Sequence, residues 1–92
     1  MGRFTVILQS QPEKFYRKTD PKTARLLEKC FRKIENNPFY QARRIKKLKG
    51  IYDMTYRYRV GSLRVVYEID VERNEVGVLA ILSRGDVYKK FN

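Results

Sequence analysis

Two strands and the turn between them can be recognised in the stretch RYRVGSLRVVY, residues 57–67. Alternating runs flank Gly61-Ser62, and glycine at the first central position suits a two-residue hairpin turn. Pairing across this turn places Val60 opposite Leu63 and Arg59 opposite Arg64. We therefore predict a β-hairpin whose strands are joined at Gly61.

The predicted hairpin separates charged from apolar side chains. Because successive side chains of a strand point to opposite faces, Arg57, Arg59 and Arg64 share one face. The other face takes the apolar and aromatic positions: Tyr56, Tyr58, Val60, Leu63, Val65 and Tyr67. Directly opposed like charges destabilise a sheet, so the arginines are expected either to spread apart in water or to hold an anion. We interpret them as a seat for RNA phosphate.

The sequence on either side of the hairpin predicts a first strand, two helices and a last strand. A capping box of Ser10 with Glu13 starts one helix, and Asp20-Pro21 starts the other. The second helix carries an apolar stripe at helical spacing, formed by Ala24, Leu27, Cys30, Phe31 and Ile34. The predicted bounds are 4–8 for the first strand, 10–19 and 20–36 for the helices, and 54–60, 63–70 and 76–83 for the later strands.

These elements predict an α+β fold in the order β-α-α-β-β-β. The helical hairpin is expected to pack on one face of a small, mainly antiparallel sheet. The opposite face, which carries the arginines, is expected to be left open to a ligand. Residues 39–50 are predicted to form a basic connector between the helices and the hairpin.

Composition limits the chain to one small domain, residues 1–92. Lysine and arginine number 21 against 10 acidic residues, a formal net charge of +11. Residues 43–64 hold eight basic residues and one acid, a net charge of +7. A basic surface of this kind indicates nucleic-acid binding, with a solvated surface or a membrane-surface patch as alternatives.

Composition also excludes several kinds of chemistry. The chain has no histidine, which removes the usual general base and the commonest metal ligand. Its lone cysteine, Cys30, excludes an internal disulfide and fits a reducing cytosol, so a cytoplasmic protein is expected. The longest apolar run, residues 76–82, is too short to span a bilayer.

Three blocks of the chain together resemble a known family. They are Leu48-Lys49-Gly50, the hairpin stretch from Tyr58 to Tyr67, and Ser83-Arg84-Gly85-Asp86-Val87-Tyr88. In this order and spacing they resemble the RelE/ParE toxin superfamily, and the C-terminal Arg84 and Tyr88 favour the RelE branch. The resemblance implies a RelE-like microbial ribonuclease fold and a toxin of a type II toxin–antitoxin module.

The resemblance further implies an activity: a ribosome-dependent mRNA interferase that needs no metal or other cofactor. Arg64 would stabilise the phosphate, Arg84 would assist the leaving group, and Tyr88 would orient the mRNA by stacking or by helping to activate the 2′-hydroxyl. Arg57 is included among the catalytic residues. It stands, with Thr55, where some RelE members carry lysines. The remaining basic positions are predicted to bind RNA: Arg43, Arg44, Lys46, Lys47, Lys49 and Arg59.

The chemistry of RNA cleavage fits these residue types. RNA carries its own nucleophile, the 2′-hydroxyl, so the enzyme has mainly to stabilise a dianionic transition state. A guanidinium suits that task because its planar fork holds two phosphate oxygens and stays charged. Tyrosine and arginine titrate near 10 and above about 12 in model compounds, so we expect the ribosome to supply much of the alignment.

Two other functions are open from the sequence. One is a ParE-like gyrase inhibitor without enzymatic activity, and the other is a catalytically inactive RNA-binding family member. Arg84 and Tyr88 discriminate between them and a nuclease, because only the enzyme needs both at the arginine face. The expected partners are a cognate acidic antitoxin that orders on binding, and the ribosome with its 16S rRNA and mRNA in the A site. No membrane partner is expected.

Overall fold

The structure of the protein is a computed structural model that describes residues 3–39, 45–47 and 54–91. Its elements are β1 (Thr5–Leu8), α1 (Ser10–Lys18), α2 (Pro21–Asn36), β2 (Ile45–Lys47), β3 (Thr55–Val60), β4 (Leu63–Asp70), β5 (Glu75–Ser83) and α3 (Arg84–Phe91). The predicted α+β fold is confirmed. Two elements, β2 and α3, are absent from the prediction.

The sheet has five strands in the order β1-β5-β4-β3-β2. β1 runs parallel to β5, and the other neighbours are antiparallel. The predicted hairpin register is confirmed, with Arg59 opposite Arg64 and Val60 opposite Leu63. Gly61 has a φ of 58°, the positive value that its turn position requires and that glycine adopts without steric cost.

The start of α2 follows the prediction and the start of α1 does not. Asp20 caps α2 by accepting hydrogen bonds from the Thr23 N–H (3.0 Å) and Thr23 hydroxyl (2.7 Å), which lower the pKa of its carboxyl. The predicted capping box of Ser10 and Glu13 is wrong. Gln9 occupies the N-cap position, and its side chain makes no capping hydrogen bond. The Glu13 carboxylate accepts a hydrogen bond from Arg17 instead, at 2.8 Å.

The two helices pack on one face of the sheet, as predicted. The buried core between them consists of Phe4, Leu27, Cys30, Ile34, Tyr56, Tyr58, Val60, Val65, Tyr67, Ile69, Val76, Val78 and Ile81. The Tyr67 hydroxyl donates a buried hydrogen bond to the Pro38 carbonyl at 2.8 Å. Burial raises the pKa of the Cys30 thiol to about 12, so this cysteine is a core residue. Within the described residues, no helix is long and apolar enough to cross a membrane.

The other face of the sheet carries a second, smaller core. Val87 of α3 is fully buried and packs in one cluster with Val66 of β4 and Ala80 of β5. This corrects the prediction of a fully open arginine face, because α3 covers part of it. The correction has a simple reason. Helix α3 follows β5 directly and has only eight residues, too few for an apolar stripe to stand out in the sequence.

The side chain of Gln11 extends the sheet where β1 ends. β1 pairs with β5 only as far as Val78, and the N–H of Gln9 donates to the Val78 carbonyl at 3.0 Å. Further along β5, Gln11 Nε2 donates to the Ile81 carbonyl at 2.8 Å and the Ile81 N–H donates to Gln11 Oε1 at 2.7 Å. The amide thus takes the place of a neighbouring strand and ties α1 to β5.

Candidate nucleic-acid interface

The hairpin of β3 and β4 brings three of the predicted site residues to one face. Arg59 lies directly opposite Arg64, and Arg57 lies opposite Val66. Arg59 is exposed, whereas Arg57 and Arg64 are half-buried. We call this surface the arginine face, defined by Arg57, Arg59 and Arg64.

Arg64 is held against the turn that precedes it. Its Nη1 donates to the carbonyl oxygens of Gly61, at 2.9 Å, and Leu63, at 2.8 Å. A carbonyl oxygen is a neutral acceptor, so these two bonds orient the guanidinium without neutralising it. The turn conformation at Gly61 therefore decides where the Arg64 head lies. The sequence predicted the turn but not this contact, since it depends on which way the turn carbonyls point.

Arg84 lies at the same end of the sheet as the turn. Ser83, the last residue of β5, is opposite Leu63 in the register, and α3 starts at the next residue. The Ser83 hydroxyl accepts from the Asp86 N–H at 3.3 Å, which is how a serine caps a helix start. Arg84 is exposed there. Serine followed three residues later by an acid was the available sequence signal for α3.

Tyr88 is in α3, four residues after Arg84, a spacing that puts both on the same side of a helix. The side chain of Tyr88 lies outside the described residues. Its neighbour Val87 is buried against Val66 and Ala80, so α3 is seated on the sheet face that also carries the arginines. Val87 is a positioning residue that sequence analysis did not identify.

The basic residues predicted to bind RNA are only partly described. Lys46 and Lys47 form β2 with Ile45, and Lys46 lies opposite Arg57 in the register. The side chains of both lysines lie outside the described residues, as do Arg43, Arg44 and Lys49 entirely. The register therefore places a basic position of β2 beside Arg57 of β3.

The position of Thr55 limits the proton-transfer chemistry of the arginine face. Thr55 is 2 % exposed and lies opposite Glu68, at the end of β3 away from the turn. A buried hydroxyl at that end is remote in register from the Arg59–Arg64 pair. Thr55 therefore does not replace a lysine as a base beside Arg64.

Comparison with known protein families gives the same superfamily as the sequence motifs. The model of the family described as "ParE toxin of type II toxin-antitoxin system, parDE" matches residues 3–88. No curated protein matches the sequence significantly.

Similar solved structures are toxins and toxin–antitoxin complexes. A chain of the RelBE2 complex from Mycobacterium tuberculosis is 26% identical with a TM-score of 0.71, covering 89% of this chain and 99% of its own. The archaeal RelE–RelB complex from Pyrococcus horikoshii has 24% identity and a TM-score of 0.78, covering 90% and 97%. A mutant of the E. coli toxin RelE in the free state has 22% identity and a TM-score of 0.76, covering 97% and 94%. The chain therefore belongs to the ParE toxin family of type II toxin–antitoxin systems, within the RelE/ParE superfamily.

Proposed function

We propose that this toxin is a ribosome-dependent endoribonuclease that cleaves mRNA in the A site and thereby inhibits translation. The observation that carries the proposal is the Arg59–Arg64 pair, with Arg64 oriented by the carbonyls of Gly61 and Leu63. Opposed arginines cost stability unless an anion lies between or above them. A phosphate of the mRNA backbone is the anion that this toxin family and a net charge of +11 favour.

The proposed reaction uses the RNA's own nucleophile. The 2′-hydroxyl loses its proton and attacks the adjacent phosphorus; the new O2′–P bond forms as the P–O5′ bond breaks. The departing 5′-oxygen takes up a proton, so the products are a 2′,3′-cyclic phosphate and a 5′-hydroxyl. Arg64 stabilises the charge on the phosphoryl oxygens, and such electrostatic stabilisation is usually the largest contribution to the rate.

Arg84 and Arg57 have complementary roles in this proposal. Arg84, exposed at the turn end of the sheet, assists departure of the 5′-oxygen. Arg57, one row further along β3, adds positive potential beneath the phosphate. Tyr88 orients the mRNA from α3. The RNA strand and 16S rRNA are held by the basic positions Arg43, Arg44, Lys46, Lys47, Lys49 and Arg59.

Dependence on the ribosome follows from the proton-transfer problem. Arginine stays protonated up to about pH 12, and Thr55 is buried, so neither provides an efficient base near neutrality. Alignment of the 2′-hydroxyl with the phosphate by a large scaffold is worth several orders of magnitude in rate. We therefore assign that alignment to the ribosome, and a cytoplasmic location follows from this target.

The proposed regulator is a cognate antitoxin. The similar structures from M. tuberculosis and P. horikoshii are complexes of this kind. Because the toxin is strongly basic, its antitoxin is expected to be acidic, disordered alone and ordered on binding. A complex of opposite charges also associates quickly.

Gyrase inhibition is the second candidate function, since the matching family model is that of ParE toxins. This function needs no catalytic geometry at Arg64 and Arg84. The two candidates therefore respond differently to substitutions at these two positions.

The deciding experiment is translation in a purified ribosomal system with mapping of mRNA 5′ ends. The wild type is expected to produce cuts in the A-site codon, and Arg64→Ala and Arg84→Ala are each expected to remove most of them. Equal cleavage of ribosome-free mRNA would contradict ribosome dependence. Intact mRNA and unimpaired translation would exclude the nuclease, and inhibition of gyrase supercoiling by the same preparation would establish the second function.

A further inference from the structure

A groove on the helix side of the sheet shares only Arg59 with the arginine face among its described lining residues. It runs between α2 and the turn end of β3 and has a volume of about 250 Å³. Cys30, Tyr58 and Val60 form an apolar floor, and all three are buried. The volume is below the roughly 300–1,000 Å³ of small-molecule sites, which suits one anchoring side chain rather than a whole small ligand.

The rim of this groove combines an exposed apolar residue with positive charge. Leu26 of α2 is 44% exposed at the edge of the groove. Lys29 and Lys33 stand one helical turn apart on the same helix, and Arg59 lines the opposite side. None of the described residues that line the groove is acidic, and neither lysine forms an ion pair within the described part of the chain.

We infer that this groove binds an acidic segment of the cognate antitoxin, anchored by one large apolar side chain. Charge complementarity identifies the occupant: carboxylates on either side of the anchor pair with Lys29, Lys33 and Arg59, while the anchor covers Leu26 and the floor. This inference rests on the proposed antitoxin partnership and not on the proposed nuclease activity.

The groove is a poor match for RNA, which is the other polyanion in this system. Single-stranded RNA is typically held by exposed aromatic rings and arginine planes on which bases stack. The only ring described in this groove belongs to Tyr58, which is 3% exposed and offers no stacking face. An aliphatic edge with two lysines favours a peptide segment instead.

A segment bound in the groove also affects the arginine face, although it binds on the helix side of the sheet. Arg59 belongs to both surfaces, and Gly61, which also lines the groove, supplies a carbonyl to Arg64. A segment seated here neutralises Arg59 and contacts the turn that orients Arg64. The groove is thus a second point of inhibition, separate from direct coverage of the arginine face.

The test is an NMR titration of the full chain, labelled with ¹⁵N, with a short synthetic peptide that has a central leucine–phenylalanine pair flanked by glutamates. Shifts are expected at Leu26, Lys29, Lys33 and Val60. The double variant Lys29→Glu/Lys33→Glu should weaken binding by about tenfold or more. Because both side chains are exposed, the variant should keep the melting temperature of the wild type.

A matched control separates this site from general basicity. Lys14→Glu/Lys18→Glu makes the same charge change one helical turn apart on α1, beside a different hollow that includes Phe15, and should leave the affinity unchanged. Equal weakening by both variants, or shifts confined to the arginine face, would overturn the inference. So would displacement of the peptide by an RNA oligonucleotide that itself shifts Leu26 and Val60.

Binding of the antitoxin itself tests the groove and the toxin–antitoxin partnership separately. If the cognate antitoxin binds the toxin but tolerates Lys29→Glu/Lys33→Glu without loss of affinity, the groove is wrong and the partnership stands. If no acidic antitoxin binds the wild type, the proposed partnership fails. Arg64→Ala should bind the peptide normally, which keeps both results independent of nuclease activity.

Discussion

The two hairpins that share β4 each have a turn residue with positive φ, but the residues around the two turns carry opposite charge. At one end Gly61, with a φ of 58°, joins β3 to β4; at the other, Asn74, with a φ of 54°, closes the turn between β4 and β5. The first turn is flanked by Arg59 and Arg64. The second is surrounded by the acidic residues Glu68, Asp70, Glu72 and Glu75.

At the acidic hairpin, a local contact offsets charge. Asp70 accepts a hydrogen bond from the Arg73 N–H at 3.1 Å and lies 3.9 Å from its guanidinium nitrogen Nε. At the basic hairpin, two arginines face each other across the strands. The acidic hairpin thus forms without opposed cations, in keeping with the proposal that the arginines of the basic hairpin bind an anion. The gradient along β4, from Arg64 to Glu68, would also orient a polyanion towards the Gly61 end.

The largest expected difference between the hairpins is in catalysis. Arg64→Ala should lower the rate of mRNA cleavage on programmed ribosomes by about a hundred- to a thousandfold, the usual loss for one donor of this kind. Arg64→Lys should restore little, because lysine keeps the charge but lacks the fork. Arg73→Ala, at the acidic hairpin, is the matched control and should cleave at the wild-type rate. A comparable loss in Arg73→Ala would contradict the assignment of function to the basic end.

The next difference is in stability. Gly61→Val should lower the free energy of unfolding by about 1–3 kcal/mol, because a β-branched residue is strained at positive φ. Nothing lies within 4 Å of a Cβ added at Gly61, so the loss comes from the backbone and not from a clash. Asn74→Gly should change the free energy by less than about 0.5 kcal/mol. Guanidinium chloride denaturation measures both, and an undiminished midpoint for Gly61→Val would show that the turn is not held as described.

A smaller difference is expected in RNA binding by the isolated protein. Arg59→Ala should weaken binding to a single-stranded oligonucleotide equally for all sequences and should reduce the salt slope of log Kd by about 1, as expected for one lost phosphate contact. Glu72→Ala should leave the slope unchanged. The measurement is a fluorescence titration at several KCl concentrations. An unaltered slope in Arg59→Ala would remove this residue from the interface.

The smallest expected effect is in the reactivity of Cys30, which lies beneath the basic hairpin. Burial raises the pKa of its thiol to about 12, so it should react with a disulfide reagent at pH 8 far more slowly than in the unfolded chain. Gly61→Val should speed this labelling several-fold by loosening the hairpin, and Asn74→Gly should not. Rapid labelling of the wild type would contradict the burial.

The raised pKa of the Cys30 thiol also makes the free energy of unfolding depend on pH in the alkaline range. A pKa raised on folding stabilises the native state fully below the pKa of the unfolded thiol, near 8.5. This contribution is lost as the pH rises towards about 12. Cys30→Ala should therefore be less sensitive than the wild type to pH between these values, as measured by the midpoint of denaturation.

Sequence reasoning succeeded where the local pattern and the tertiary structure agree. The alternation around Gly61 predicted the partners of Arg59 and Val60 residue for residue, and Asp20-Pro21 predicted the start of α2. It failed for β2, a strand of three residues with no alternation, and for α3, a helix of eight residues that follows β5 directly. The capping box failed because the chain leaves β1 at Gln9, whose N–H is still bonded to Val78.

For the candidate site, the sequence predicted which arginines share a face of the sheet but not the hydrogen bonds that orient them. The period of two in the hairpin is sufficient to place Arg57, Arg59 and Arg64 together. The contact of Arg64 with the Gly61 carbonyl depends on peptide orientation in the turn, which the sequence pattern does not encode. The roles of Tyr88 and of the basic residues between 43 and 49 remain predictions for mutagenesis.

Because the Ile81 N–H is hydrogen-bonded to the Gln11 side chain, its exchange with solvent reports whether α1 stays on the sheet. In the interior of a sheet, a strand N–H exchanges with solvent only when neighbouring strands separate. The Ile81 N–H is instead bonded to a side chain of α1, so its deuterium uptake should follow the lifting of α1 while the strands stay paired. In Gln11→Ala this single proton should exchange much faster than its neighbours, and a partner that clamps α1 should slow it.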